Sequence, residues 1–260
     1  MKKILGTVLL AALCLTACGR GSDKTYVLVH GAWSSASAWD KVKPLLEKEG
    51  ATVVTVDLPA HGGDTTAASQ ASLQGYTDKV VAAVDAQKKP VILVGHSMGG
   101  TVISQVAEAR PEKVKTLVYV AAYLLKNGES LYGTSQSDTE STLGQYLVPS
   151  QDGSTLSIKP EGLKDAFCAE CDDAETQVLK TQGSGNEPAA PLGTPVTVSD
   201  ANFGKVPRVY IHTLKDHAVG PALQERMYTA TPVQKVLSID SGHAPYLSHP
   251  EELSAMLLDP

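Results

Sequence analysis

Aromatic side chains are scarce in this chain, at 5% of 260 residues with only two Phe and two Trp. A core built from it must rest mostly on Val, Leu, Ala and Ile. An excess of positive charge is also missing, since the formal net charge is −6. No basic patch stands out, which argues against nucleic acid as a partner. Cysteine is limited to four residues, too few for a disulfide scaffold at this length. The N-terminal apolar run, residues 4–15, is too short to span a bilayer as a permanent helix. What is present points to a globular body: 42% hydrophobic and 19% charged residues exclude intrinsic disorder. The length fits one large α/β domain as well as two small ones.

The N-terminus reads as an address. Lys2 and Lys3 precede the apolar run, which ends in Leu15-Thr16-Ala17-Cys18-Gly19. This order resembles the lipobox of bacterial lipoproteins, in which cleavage precedes the Cys and the Cys carries lipid. The resemblance implies a signal peptide over residues 1–17, lipidation of Cys18 and a short tether over residues 18–24. It further implies anchoring to a membrane of the bacterial cell envelope, on the periplasmic or extracellular face. The alternative is an ordinary secretory signal in which Cys18 is incidental.

From residue 25 the pattern alternates. Short β-branched runs at residues 25–29, 52–56, 90–94, 114–121, 206–213 and 233–239 read as strands. Helical spacing falls between and after them, at residues 37–49, 72–87, 100–110, 218–227 and 251–258. In the second of these, Leu73, Tyr76, Val80 and Val84 share one stripe. Such alternation predicts an α/β fold with a mostly parallel sheet and helices on both faces. Residues 122–205 interrupt the pattern with a stretch rich in Ser, Thr, Gln, Gly and Pro. Helices are expected there near residues 137–146 and 172–180. A structureless insert of this size is improbable in a compact domain. It is expected to form a partly helical cap over the C-terminal edge of the sheet, within one domain over residues 25–260.

The motif that carries chemistry is Gly95-His96-Ser97-Met98-Gly99. It follows a buried strand and precedes a helix, the context of a nucleophile elbow. Gly95 and Gly99 stand where a side chain would collide with the neighbouring strand and helix. Ser97 is thrown outward at the helix N-terminus, where free N–H groups favour a developing oxyanion. A serine needs a base at neutral pH. His243 lies between the last strand and the last helix, at the same sheet edge. His96 points away from its neighbour on a sharp turn, and His249, before Pro250, reads as surface. Asp216, just past a strand, is the candidate to orient His243, with Asp240 as its rival. The chain order Ser97, Asp216, His243 is that of a nucleophile-elbow hydrolase. The backbone N–H groups of Met98 and Ala32 are the candidate oxyanion donors. Gly31 lets the first loop approach a ligand.

These segments resemble the α/β-hydrolase superfamily over nearly the whole body. Within it they are most similar to the plant methylesterase and hydroxynitrile lyase group and its bacterial esterase relatives. The resemblance is carried by Val27-Leu28-Val29-His30-Gly31-Ala32-Trp33, by Trp39-Asp40-Lys41-Val42-Lys43-Pro44-Leu45-Leu46, and by Val56-Asp57-Leu58-Pro59-Ala60-His61-Gly62. Gly95-His96-Ser97-Met98-Gly99-Gly100, Tyr119-Val120-Ala121-Ala122-Tyr123 and Val206-Pro207-Arg208-Val209-Tyr210-Ile211 continue it. It implies a Ser97–His243–Asp216 triad with oxyanion donors at Ala32 and Met98. It implies no cofactor and no metal. Hydroxynitrile lyases of this type carry Lys after the catalytic His and Thr in the first loop. Here those positions are Ala244 and Gly31, which favours hydrolysis.

The expected activity is therefore carboxylic ester hydrolysis through an acyl-enzyme, acting on a small-molecule ester. A lactonase, a lyase-like or other cofactor-free activity on the same serine, and a non-catalytic envelope binding protein are the alternatives. Cys168-Ala169-Glu170-Cys171 falls in the expected cap. A local disulfide and free thiols both remain open for it, while zinc lacks two further ligands at suitable spacing.

Overall fold

The computed structural model describes residues 23–182 and 185–260. The expected signal peptide, the lipidation site Cys18 and most of the tether lie outside them. The chain begins with β1 (Thr25–Val29), continues through a 3-10 turn at Ala36–Trp39, and forms α1 (Lys43–Lys48) and β2 (Thr52–Val56). Then come α2 (Leu73–Asp85), β3 (Val91–His96), α3 (Gly99–Ala109) and β4 (Val114–Val120). A long excursion carries α4 (Leu131–Ser135), β5 (Leu147–Pro149), β6 (Thr155–Ile158), α5 (Pro160–Phe167), α6 (Asp173–Gln182), β7 (Glu187–Pro188) and α7 (Ala189–Gly193). The body resumes with β8 (Arg208–Thr213), α8 (Pro221–Ala230), β9 (Lys235–Ile239), α9 (Pro245–Ser248) and α10 (Pro250–Leu258).

Six strands form one parallel sheet in the order β2-β1-β3-β4-β8-β9. Central strands of such a sheet are covered on both faces, and every residue of β3 is buried. The edge strand β9 instead alternates half-buried and exposed residues along most of its length. The order reverses between β1 and β3, which opens a crevice at the carboxyl ends of the strands. The loops after β1 and β3 meet there.

Helix α2 shows why the sequence pattern was readable. Ser72 caps it, its hydroxyl accepting from the Gly75 amide at 3.0 Å. Leu73, Tyr76, Val80 and Val84 are all buried. Each such apolar side chain contributes about 1.5–3 kcal/mol when fully removed from water. The two ends of the body are tied together, with the Tyr26 hydroxyl donating to the Leu257 carbonyl at 2.9 Å. The Lys24 ammonium donates to the Leu258 carbonyl beside it.

Two expected helices differ. The span 37–49 is a 3-10 turn followed by a short α1, because Ser35 caps the first and Pro44 restarts the second at its N-terminus. The span 137–146 is not an α-helix, and only Leu143–Tyr146 forms a 3-10 turn. Asp138 diverts this backbone by accepting from the Glu140 and Ser141 amides at 3.1 and 3.3 Å. The excursion also contains a feature absent from the sequence reading. β5, β6 and β7 pair antiparallel into a small second sheet. Strands of two to four residues leave too short an alternation to detect.

Candidate active site

The turn after β3 presents Ser97 with φ +53°, a left-handed backbone that L-residues rarely adopt. The turn closes tightly around it. A Cβ on Gly95 would sit 2.6 Å from the Gly99 carbonyl oxygen, so only glycine fits. The Ser97 carbonyl accepts from the Gly100 and Tyr123 amides at 3.0 and 3.1 Å. Helix α3 begins two residues after Ser97, with Met98 at its N-cap. The first loop packs directly on this turn. A Cβ on Gly31 would lie 2.7 Å from the Ser97 Cβ, so Gly31 admits the elbow itself rather than a ligand.

His243 is buried in the loop after β9, and its Nδ1–H donates to Asp216 Oδ2 at 2.8 Å. Asp216 lies just past β8 and is also buried. Its Oδ1 accepts from the Ala218 and Val219 amides, both at 2.8 Å. Its Oδ2 accepts further from Thr213 Oγ1 at 2.8 Å and Gln224 Nε2 at 3.0 Å. Five donors thus fix one carboxylate, and a buried charge requires such saturation. The rival Asp240 is exposed at the surface and pairs with Lys215 at 2.7 Å, away from His243.

The other histidines divide into supports. His96 is buried, and its Nε2–H donates to the His243 carbonyl at 2.7 Å. Burial, and then the neighbouring His243, hold its pKa well below the ordinary value, so it stays neutral. His30 Nδ1–H donates to the Gly31 carbonyl at 2.8 Å, while its Nε2 accepts from the Leu58 amide at 3.1 Å. Its pKa is lowered to about 3, chiefly by burial and then by His61. His249 is half-buried rather than on the open surface, with Nδ1 against the Ser248 hydroxyl.

Ser97, Met98, Ala32 and His243 line a single cavity of about 260 Å³. Much of the rest of its wall is apolar or aromatic, with Trp33, Tyr123, Leu143 and Phe167 among the contributors. Among the described residues, no Lys or Arg lines it. Asp138 does, but both its oxygens accept backbone amides, Oδ2 from Gly220 at 2.7 Å. The excursion between β4 and β8 supplies residues from Tyr123 to Leu192, so the shape of the cavity is set largely there. A larger open groove of about 1040 Å³, between α4 and α8, contains none of the four. Among the described residues, no group of three or more His, Cys, Asp or Glu could hold a metal ion. Cys168 and Cys171 are joined in a disulfide, which resolves the choice left open by their spacing.

Sequence reasoning missed Thr213, Gln224 and Glu187, all fully buried polar residues. Gln224 was detectable as a polar side chain between Leu223 and Met227 on the buried face of α8. Glu187 carried no signal, because its partners are distant in sequence.

Known proteins resemble this chain along most of its length. A pyrethroid hydrolase of Sphingobium wenxiniae is 32% identical over 248 residues, covering 90% of this chain and 86% of its own. A protein of Arabidopsis thaliana named "Putative methylesterase 11, chloroplastic" is 32% identical over 248 residues and 90% of this chain. The chain spans only 63% of that relative's length. A crystal structure of a pyrethroid hydrolase superposes with a TM-score of 0.79 at 29% identity, covering 91% of this chain and 96% of the other. The model of the α/β hydrolase family matches residues 26–256, which is nearly the whole body described above, and the chain belongs to that family.

Proposed function

We propose that this protein is a serine hydrolase of carboxylic esters. The observation that carries the reading is the buried His243–Asp216 pair, at 2.8 Å, on the cavity that Ser97 also lines. In this reading Ser97 attacks the ester carbonyl while His243 Nε2 takes its proton. Asp216 keeps the Nδ1–H tautomer in place and stabilises the imidazolium that forms. The oxyanion is received by the Ala32 and Met98 amides. His243 then protonates the leaving alcohol, and water releases the acyl group from Ser97. The cavity wall, with no cationic side chain among the described residues, suits a neutral ester better than one carrying a free carboxylate. It also offers no lysine beside His243 for a cyanide leaving group, and Ala244 is fully buried, which favours hydrolysis over the lyase reaction. The methylesterase and pyrethroid hydrolase relatives support the same class of substrate.

The test is hydrolysis of p-nitrophenyl esters from acetate to octanoate, with Ser97→Ala beside the wild-type protein. Activity in the wild type and a loss of at least a thousandfold in Ser97→Ala is expected. An unchanged rate in Ser97→Ala would remove the reading. The order of Lys2-Lys3, the apolar run and Cys18 supports a further proposal, that Cys18 is lipidated and anchors the enzyme in the bacterial envelope. Detergent phase partitioning checks it: the full-length protein should enter the detergent phase and Cys18→Ser should not.

A further inference from the structure

The carboxylate of Glu187 is fully buried, and nothing in the mechanism above uses it. Burying a charge costs several kcal/mol unless hydrogen bonds compensate. Its Oε2 accepts from the Trp33 amide at 2.7 Å and from His61 Nε2 at 2.8 Å. Trp33 directly follows Ala32 and has φ +53°, an uncommon backbone for a bulky residue. Such a conformation persists only where its surroundings hold it. Trp33 is held twice by the small sheet: its amide by Glu187 of β7, and its indole N–H by the Leu156 carbonyl of β6 at 2.8 Å.

The neighbouring peptide is also pinned. The Gly31 carbonyl accepts from His30 Nδ1 at 2.8 Å. A trans peptide points its N–H opposite to its carbonyl, so this bond directs the Ala32 N–H away from His30. Two consecutive peptide planes around Ala32 are therefore fixed, one by His30 and the other by Glu187. The rings of His30 and His61 lie 4.9 Å apart, which joins the two holds in one buried cluster.

We propose that Glu187 is a positioning residue for the oxyanion hole, holding the Trp33 amide so that the Ala32 N–H faces the cavity that Ser97 lines. The inference rests on the serine hydrolase reading. It makes a residue of the excursion between β4 and β8 responsible for the geometry of a donor in the first loop. Glu187 acts through the backbone and touches no substrate.

Glu187→Asp and Glu187→Gln, made in the full chain, separate this role from a merely structural one. Asp keeps the charge but shortens the reach by about 1.5 Å. Gln keeps the reach and an acceptor oxygen but loses the charge. Outright loss of an oxyanion donor costs about 10²–10³ in kcat, and a misaimed donor should cost about tenfold. Glu187→Asp should thus lose about tenfold in kcat on p-nitrophenyl butyrate, with KM within about threefold, and phenylboronic acid should bind it more weakly in parallel. Glu187→Gln should recover most of that loss. The reverse order, Asp more active than Gln, would mean that the ion pair with His61 matters and not the reach, and would overturn the proposal. A measurement on the wild type stands apart from variant folding. The Trp33 amide should resist hydrogen exchange, and exchange as fast as in an open loop would overturn the proposal whatever the variants do. Ser97→Ala in the same series keeps the two readings distinct. Full activity there would sink the serine mechanism itself, leaving the Trp33 exchange result to report on the Glu187 contact alone.

Discussion

At the residue scale, the site depends on polar side chains that are buried and saturated. Gln224 shows this most directly. Its amide nitrogen donates to Thr213 Oγ1, Asp216 Oδ2 and the Val219 carbonyl at 2.8, 3.0 and 2.7 Å, and its oxygen accepts from the Thr213 amide at 3.2 Å. Replacing it with Met keeps most of the volume and strands these partners. An unsatisfied buried partner costs about 1–3 kcal/mol, so Gln224→Met should destabilise by about that much in urea unfolding. Its kcat should fall as well, because Asp216 loses one of five donors. The choice between Asp216 and Asp240 belongs to this scale too. Chain order favoured Asp216, and it is the Asp216 carboxylate that accepts from His243. Asp240 sits on the open surface with Lys215, whereas Asp216 is enclosed by the loop that follows it.

At the element scale, α5 and the disulfide-closed turn after it grip the loop that carries His243. The Gly242 amide donates to Glu170 Oε1 at 2.7 Å, and the Ala244 amide donates to the Phe167 carbonyl at 2.9 Å. Both neighbours of His243 are thus held, and the Phe167 ring meets the His243 ring edge-on at 5.3 Å. A ring this short removes roughly 2 kcal/mol of unfolded-state entropy. Cys168→Ser with Cys171→Ser should therefore lower the Tm by only about 4–8 °C. We expect kcat to fall by more than about threefold at a temperature well below that Tm, from the loosened His243 loop. Treating the wild type with a dithiol reductant should reproduce the change. An unaltered kcat in the double variant would show that the turn does not constrain His243. Nothing in the sequence pattern pointed to this grip. The spacing of Cys168 and Cys171 left both disulfide and free thiols open, and the contact with Gly242 joins segments 72 residues apart. The elbow, by contrast, was legible, since strand, glycine turn and helix follow one another without a break.

At the scale of the whole molecule, buried histidines make stability depend on pH. His30 has its folded-state pKa lowered to about 3, and that of His96 is also well below the ordinary value. Between about pH 6.5 and 3 the unfolded chain then binds more protons than the folded one, so stability falls with acidification. His61 opposes this. Burial works against its charge, but the Glu187 hydrogen bond and charge outweigh that and raise its pKa. Its contribution is fully present below about pH 6.5 and is lost as pH rises through the raised value. Burial also lowers the pKa of His212, so three lowered histidines against one raised predict a net loss in acid. The urea midpoint should drop steadily from pH 6.5 to 4, and the drop should be shallower in His30→Asn. A midpoint that rises on acidification would contradict this balance.

Local pattern along the chain was enough to read the parallel α/β body, the elbow at Ser97 and the order of Ser97, Asp216 and His243. These follow from local rules: apolar periodicity, glycine at a tight turn, and loops at one end of parallel strands. Tertiary structure alone decided the rest. It paired β5, β6 and β7 into a second sheet, replaced the expected helix at 137–146 with a turn around Asp138, and buried Glu187 against Trp33. Local propensity in that excursion is weak, and its polar groups take partners far along the chain. Such contacts exist only once the body has folded and offers them unpaired amides and carbonyls to satisfy.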